Sequence, residues 1–263
     1  MTEPHYDITG HGPVLLLMPG GAGHPMGLGP VTDALSAHFT VVTYDPLGLA
    51  HGRLGEPVED QRVQDWSDGA RRVLDATLLE GESAYVFGTS AGAIAALDLL
   101  ARHAERLRHV VAHEPPCVGV LPDGARQRAA FREVPEVYRA KGLAAAGALM
   151  TAVLEERAAG ELPAGQPLSR EEELVNPMAL SLAHVIGPFT SYVPEAGPSR
   201  VRLTVAAGTD SRGHLLYRTA EFLAKTQQAD FVEFPGGHLG VLQHPVAYAD
   251  LLTRTFLGTD PRS

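Results

Sequence analysis

Residues 88–92 read Gly-Thr-Ser-Ala-Gly, and the serine at their centre joins an apolar strand-like run to an apolar helical run. A residue on a tight strand-to-helix turn is forced into an unusual backbone conformation. Glycine two places to either side removes side chains that would crowd it. The helix that follows points its amino end at Ser90, so the Ala91 N–H and the helix dipole can steady negative charge beside the hydroxyl. The chemistry this suits is attack of Ser90 on a carbonyl carbon. Ser90 as a plain helix N-cap is the competing reading, and the strand before it and the helix after it favour the nucleophile.

An acyl-transfer serine needs a second amide for the oxyanion, a base, and an acid to orient that base. The loop Met18-Pro19-Gly20-Gly21-Ala22-Gly23 follows an apolar run, and its bare Gly21 N–H is the expected second donor, beside that of Ala91. Of twelve histidines, His238 in Phe-Pro-Gly-Gly-His-Leu-Gly stands late and after the last strand-like run, the setting a base needs. For the acid, Asp210 in Ala-Ala-Gly-Thr-Asp-Ser-Arg-Gly keeps the chain order serine, acid, histidine and is preferred. Glu114 in His-Glu-Pro-Pro-Cys, past the preceding strand-like run, is the alternative.

These residues require a scaffold that brings loops to one edge. β-rich apolar runs recur at residues 14–18, 40–44, 84–87, 109–113, 201–206 and 230–234, with helical spacing at 61–79, 91–103 and 214–227. The alternation predicts an α/β fold, a mostly parallel sheet with helices on both faces and ligands at the carboxyl ends of its strands. Between the fourth and fifth runs, residues 118–198 hold only helical patterns, at 125–140, 143–158 and 177–192. The expected organisation is therefore a core of residues 1–117 and 199–263 with an all-helical lid insertion at 118–198. Met150, Met178, Phe189 and Tyr192 are candidates for an apolar pocket wall, and Arg212 and His214 for its entrance.

With 263 residues, 44% of them hydrophobic, the chain can bury a sizeable core and a pocket. A formal net charge of −10 argues against nucleic acid and anionic membrane surfaces, which call for clustered cations. The apolar run 14–18 is far too short to span a bilayer. A lone cysteine, Cys117, suits a reducing compartment, and the expectation is a cytoplasmic protein acting on a small molecule with no cofactor. His113 and Glu114 lack the second histidine of a zinc motif, and Pro115 and Pro116 preclude the helix that would align one.

Together these motifs resemble the α/β hydrolase superfamily, from about Gly12 to Leu257, with the helical insertion as its variable part. The resemblance implies Ser90 as nucleophile, His238 as base, Asp210 as acid, and the Gly21 and Ala91 amides as oxyanion hole, in an enzyme cleaving an ester, lactone or thioester through an acyl-serine. Residues 41–52 are similar to the family's turn after the next strand, where Asp45 is a structural residue. The chain departs from the pattern in three places. Pro19 replaces the histidine usual before the oxyanion glycine. Asp210 lies one place earlier after Gly208 than the usual acid. The amino-terminal hairpin looks truncated. The same scaffold supports carbon–carbon bond cleavage, cofactor-free oxygen chemistry and ligand reception in relatives. A dinucleotide-dependent reductase, suggested by Gly21, Gly23, Gly27 and Asp45, fits less well, because a fingerprint match needs glycine where Met26 stands.

Overall fold

The computed structural model describes residues 5–22, 28–46, 58–198 and 200–258. Gly23, His24, Met26, Gly27, His51 and the later part of the 41–52 turn lie outside them.

Among the described residues, seven strands form one sheet: β1 His5–Gly10, β2 Val14–Met18, β3 Thr40–Asp45, β4 Ala84–Thr89, β5 Leu107–His113, β6 Arg202–Gly208 and β7 Asp230–Phe234. Their order is β1-β3-β2-β4-β5-β6-β7, with β1 antiparallel to β3 and every other pair parallel. Six strands match the expected runs. The seventh, β1, is an edge strand whose mixed composition, His-Tyr-Asp-Ile-Thr-Gly, gives no apolar run to read. It supplies an antiparallel edge strand where the sequence looked truncated.

The helices are α1 Gly29–Leu35, α2 Val63–Thr77, α3 Ala91–Arg102, α4 Gly124–Lys141, α5 Leu143–Leu154, α6 Arg170–Leu174, α7 Pro177–Leu180, α8 Ile186–Thr190, α9 Leu215–Gln227, α10 Gly240–Gln243 and α11 Pro245–Leu257. Every residue of β2 and β4 is buried, as a central parallel strand covered on both faces requires. On one face Leu16, Val86 and Val110 meet Trp66, Val73, Ile94, Leu97 and Leu223 of α2, α3 and α9. On the other, Leu15, Leu17, Phe87 and Val111 meet Val31 and Leu35 of α1 and Tyr248, Leu252 and Phe256 of α11.

Between β5 and β6 the chain makes α4 to α8 with a small core of its own, including Phe131, Val134, Tyr138, Leu149 and Leu182. It is fastened to the sheet layer by Phe189, whose ring lies 4.7 Å from that of Trp66. The expected helix over 177–192 is realised as α7, a π-helical turn at Ser181–Val185, and α8. Pro188 is the physical reason. It has no N–H to give the carbonyl of His184, and that carbonyl instead accepts the Gln61 N–H at 2.9 Å.

Candidate active site

Ser90 sits between β4 and α3 with φ 54° and ψ −123°, a conformation non-glycine residues seldom adopt. Neighbouring groups hold it there: its N–H donates to the His113 carbonyl at 3.0 Å, and its carbonyl accepts the Ala93 and Ile94 N–H groups. The flanking glycines leave room for backbone. A Cβ on Gly88 would lie 2.5 Å from the Gly92 carbonyl oxygen, and one on Gly92 would lie 2.2 Å from that of Met18. The crowding that demands glycine is thus α3 against its own strand and against the end of β2.

The chain after β2 brings Gly20 and Gly21 to the same place. The space a Gly20 Cβ would fill is 3.5 Å from the Ser90 Cβ, and that of Gly21 is 2.5 Å from the Ser181 hydroxyl of the π-helical turn. Among the described residues, neither the Gly21 nor the Ala91 N–H has a hydrogen-bond partner. Two donors are therefore available beside the serine for an anion.

His238 follows β7 on a loop turned by Gly236, at φ 78°. Its Nδ1 lies 2.8 Å from Oε2 of Glu114. The carboxylate paired with the imidazole is therefore Glu114, the alternative acid, and not the preferred Asp210. Asp210 is exposed; its side chain accepts from the Thr209 hydroxyl at 3.3 Å and its N–H is spent on the Gly236 carbonyl. Glu114 is completely buried at the end of β5, again at positive φ, 45°. Its other oxygen, Oε1, accepts the Gly208 N–H at 2.9 Å, and its own N–H donates to the Ala206 carbonyl at 2.8 Å. Burial pushes this carboxyl's pKa up, but the His238 hydrogen bond, the neighbouring imidazoles and the Gly208 N–H outweigh it and hold the pKa at about 2. Glu114 is thus an anion at neutral pH, aimed at one nitrogen of His238. The adjacent His113 is kept neutral, its pKa lowered to about 4 mainly by burial.

Ser90, Gly20, Gly21, His238 and Asp210 line one cavity of about 780 Å³, within the range of small-molecule sites. Its far wall is the helical insertion, through Leu143, Met150, Leu154, Met178, Leu182 and Ile186. Among the described residues no hydrogen bond joins the Ser90 hydroxyl to His238, and such bonds often tighten only around substrate. Met150, Met178 and His214 line the cavity as expected, whereas Phe189, Tyr192 and Arg212 do not. Phe189 packs on Trp66, the Tyr192 hydroxyl donates to Asp98 at 2.6 Å, and Arg212 pairs with Glu233. Sequence reasoning missed Ser181, which a pattern of small polar residues on an interrupted helix does not mark as facing a site.

A model of the alpha/beta hydrolase family matches residues 14–251. The chain belongs to that family. Among curated relatives, an uncharacterized hydrolase, YraK of Bacillus subtilis (strain 168), is 30% identical over 255 residues, 94% of this chain and 90% of the relative. This hydrolase is similar in fold to a thermophilic esterase from Thermogutta terrifontis, with a TM-score of 0.69, 17% identity, and coverage of 97% of this chain and 93% of that one. It is likewise similar to the enol-lactonase from Burkholderia xenovorans LB400, with a TM-score of 0.60, 18% identity, and coverage of 97% and 96%. Among the described residues, no helix of this hydrolase is long and apolar enough to cross a membrane.

Proposed function

We propose that this hydrolase cleaves a carboxylic ester or lactone by two-step acyl transfer, with Ser90, His238 and Glu114 as its triad. The observation that carries the reading is the Ser90 turn, facing the same cavity as an imidazole whose other nitrogen meets a buried, ionised carboxylate. His238 Nε2 takes the proton of the Ser90 hydroxyl as its oxygen attacks the carbonyl carbon. Glu114 holds the ring in the required tautomer and balances the imidazolium that forms. The Gly21 and Ala91 N–H groups receive the oxyanion; loss of one such donor costs roughly 100- to 1000-fold in turnover. His238 then protonates the leaving oxygen, and water repeats the sequence on the acyl-serine. Residues 118–198 act as the lid over this centre. The esterase and lactonase neighbours suit this chemistry at the level of fold.

A fluorophosphonate probe tests the reading directly. It should label the native protein at Ser90 and leave Ser90→Ala unlabelled, while turnover of p-nitrophenyl butyrate falls by several orders of magnitude in the variant. Equal labelling of both proteins, or an ester turnover indifferent to Ser90, refutes it.

A further inference from the structure

The helix α5, Leu-Ala-Ala-Ala-Gly-Ala-Leu-Met-Thr-Ala-Val-Leu, is apolar nearly all round. A helix of that kind has to be covered on both sides. One side is covered: Ala145, Ala146, Leu149, Ala152 and Val153 are buried, most of them in the core of the insertion. The other side, Leu143, Gly147, Met150, Thr151 and Leu154, faces the cavity that holds Ser90 and His238. These positions follow helical spacing and rise about 16 Å along the axis. The Thr151 hydroxyl donates to the Gly147 carbonyl at 3.0 Å, so it is committed to the helix and offers the cavity no free donor.

Gly147 is the anomaly on that side. Glycine is the poorest helix former after proline, and it stands here in the middle of α5. Gly88, Gly92 and Gly208 are required by backbone that a Cβ would strike, but a Cβ on Gly147 would meet nothing within 4 Å. No contact of the described fold demands glycine there. Its effect is to leave a notch in the cavity wall, between Leu143 on one side and Met150 and Thr151 on the other.

We propose that the exposed side of α5 is the seat of an extended apolar chain of the substrate, and that Gly147 sets how long that chain can be. This inference rests on the reading of Ser90 and His238 as the reacting pair and names the substrate class: esters carrying a medium or long unbranched hydrocarbon chain. Gly147 is a specificity-determining residue, since a side chain at that position occupies the room the chain needs.

The test compares the native protein with Gly147→Ala and Gly147→Leu on two series, p-nitrophenyl esters from butyrate to decanoate and alkyl acetates from butyl to decyl. In one of the series the native protein should favour the longer members, and Gly147→Leu should lower the ratio of kcat/KM for the longest to the shortest by at least about tenfold. Both variants should melt a few degrees higher, because each replaces a helix-interior glycine with a better helix former. A glycine kept for packing predicts the opposite: a lower Tm for Gly147→Leu and an equal loss on every chain length. That outcome, or an unchanged ratio in both series, overturns the proposal. A parallel measurement separates its failure from that of the serine mechanism. Thermal shifts of Ser90→Ala with methyl ketones from 2-hexanone to 2-undecanone read chain binding without turnover, and Gly147→Leu in that background should lose the shift given by the longest members. If no ester is hydrolysed and this dependence persists, the mechanism fails and the chain site stands; if the longest ketones give the same shift with and without Gly147→Leu, the chain site fails.

Discussion

At the scale of single residues, the two carboxylates near His238 differ in ways that decide their roles. Asp210 lies in the open, and a charge in water interacts weakly with a neighbour. Glu114 has given up its hydration, and its two oxygens are matched by the His238 ring and the Gly208 N–H. A buried anion with those partners fixes the orientation of an imidazole far better than a solvated one. Glu114→Gln keeps the shape and removes the charge, so turnover of p-nitrophenyl butyrate should fall on the order of 1000- to 10,000-fold. Asp210→Asn should cost far less. Steady-state kinetics on the two variants decides the matter, and a deeper loss in Asp210→Asn would return the acid to the position favoured from sequence. That preference had a physical cause. Both carboxylates sit just past strand ends, and the choice depends on the lateral pairing of β5 with β6, His113 beside Ala206, together with the positive φ of Glu114. Neither feature is written in the local pattern of residues.

At the scale of elements, the sequence was most readable where one short-range rule dominates. Residues 14–18 and 230–234 are strands with the expected bounds: Pro13 and Pro19 enclose the first, an apolar run, and Pro235 and Gly236 end the second, whose Phe231, Val232 and Phe234 favour a strand. The helix expected over 61–79 is α2, shortened at both ends. The run 177–192 carried a helical pattern that Pro188 interrupts, and its consequence, the bond from Gln61 to the His184 carbonyl, joins segments far apart in the chain. Tyr192 shows the same limit. It has the character of a pocket residue, yet its hydroxyl, with the Ser67 hydroxyl and Arg102, surrounds Asp98 of α3. Asp98 is 1% exposed and stands on the helix that begins at Ser90. These bonds tie the end of the insertion to that helix. Asp98→Ala takes the acceptor from the Tyr192 hydroxyl, while Ser67 keeps the Gln64 carbonyl and Arg102 keeps Asp68, so the loss should be about 1–3 kcal/mol. Tyr192→Phe removes a single hydrogen bond to a charged group and should cost about 1–2 kcal/mol. Urea unfolding measures both, and equal, negligible losses would mean that the insertion is held by its other contacts, among them the Trp66–Phe189 rings and the Gln61–His184 hydrogen bond.

At the scale of the whole molecule, the sheet buries titratable groups whose protonation has to be settled when the chain folds. His109 and His113, both on β5, are 3% and 0% exposed. Burial is the main cause that lowers each from 6.5 to about 4, with Arg202 assisting at His109 and His238 at His113. A histidine depressed in this way binds its proton in the unfolded chain first. Its contribution to stability is complete above pH 6.5 and is lost as pH falls from 6.5 toward 4, by up to ~1.4 kcal/mol per pH unit for each histidine. Glu114, lowered from 4.5 to about 2, acts in the adjoining window: its contribution is complete above pH 4.5 and lost as pH falls toward 2. The two windows join into one long acid limb, so the urea midpoint should decline continuously from pH 6.5 downward. His109 can be removed from that sum because, among the described residues, its Nε2 meets the Thr204 hydroxyl, at 2.9 Å, where glutamine keeps a polar end, at the cost of the ring's edge-on contact with Phe256. His109→Gln should therefore flatten the slope between pH 6.5 and 4 and leave the lower window as it was. Midpoints independent of pH over the upper interval, or a slope that His109→Gln does not change, would show that β5 does not hold its histidines neutral.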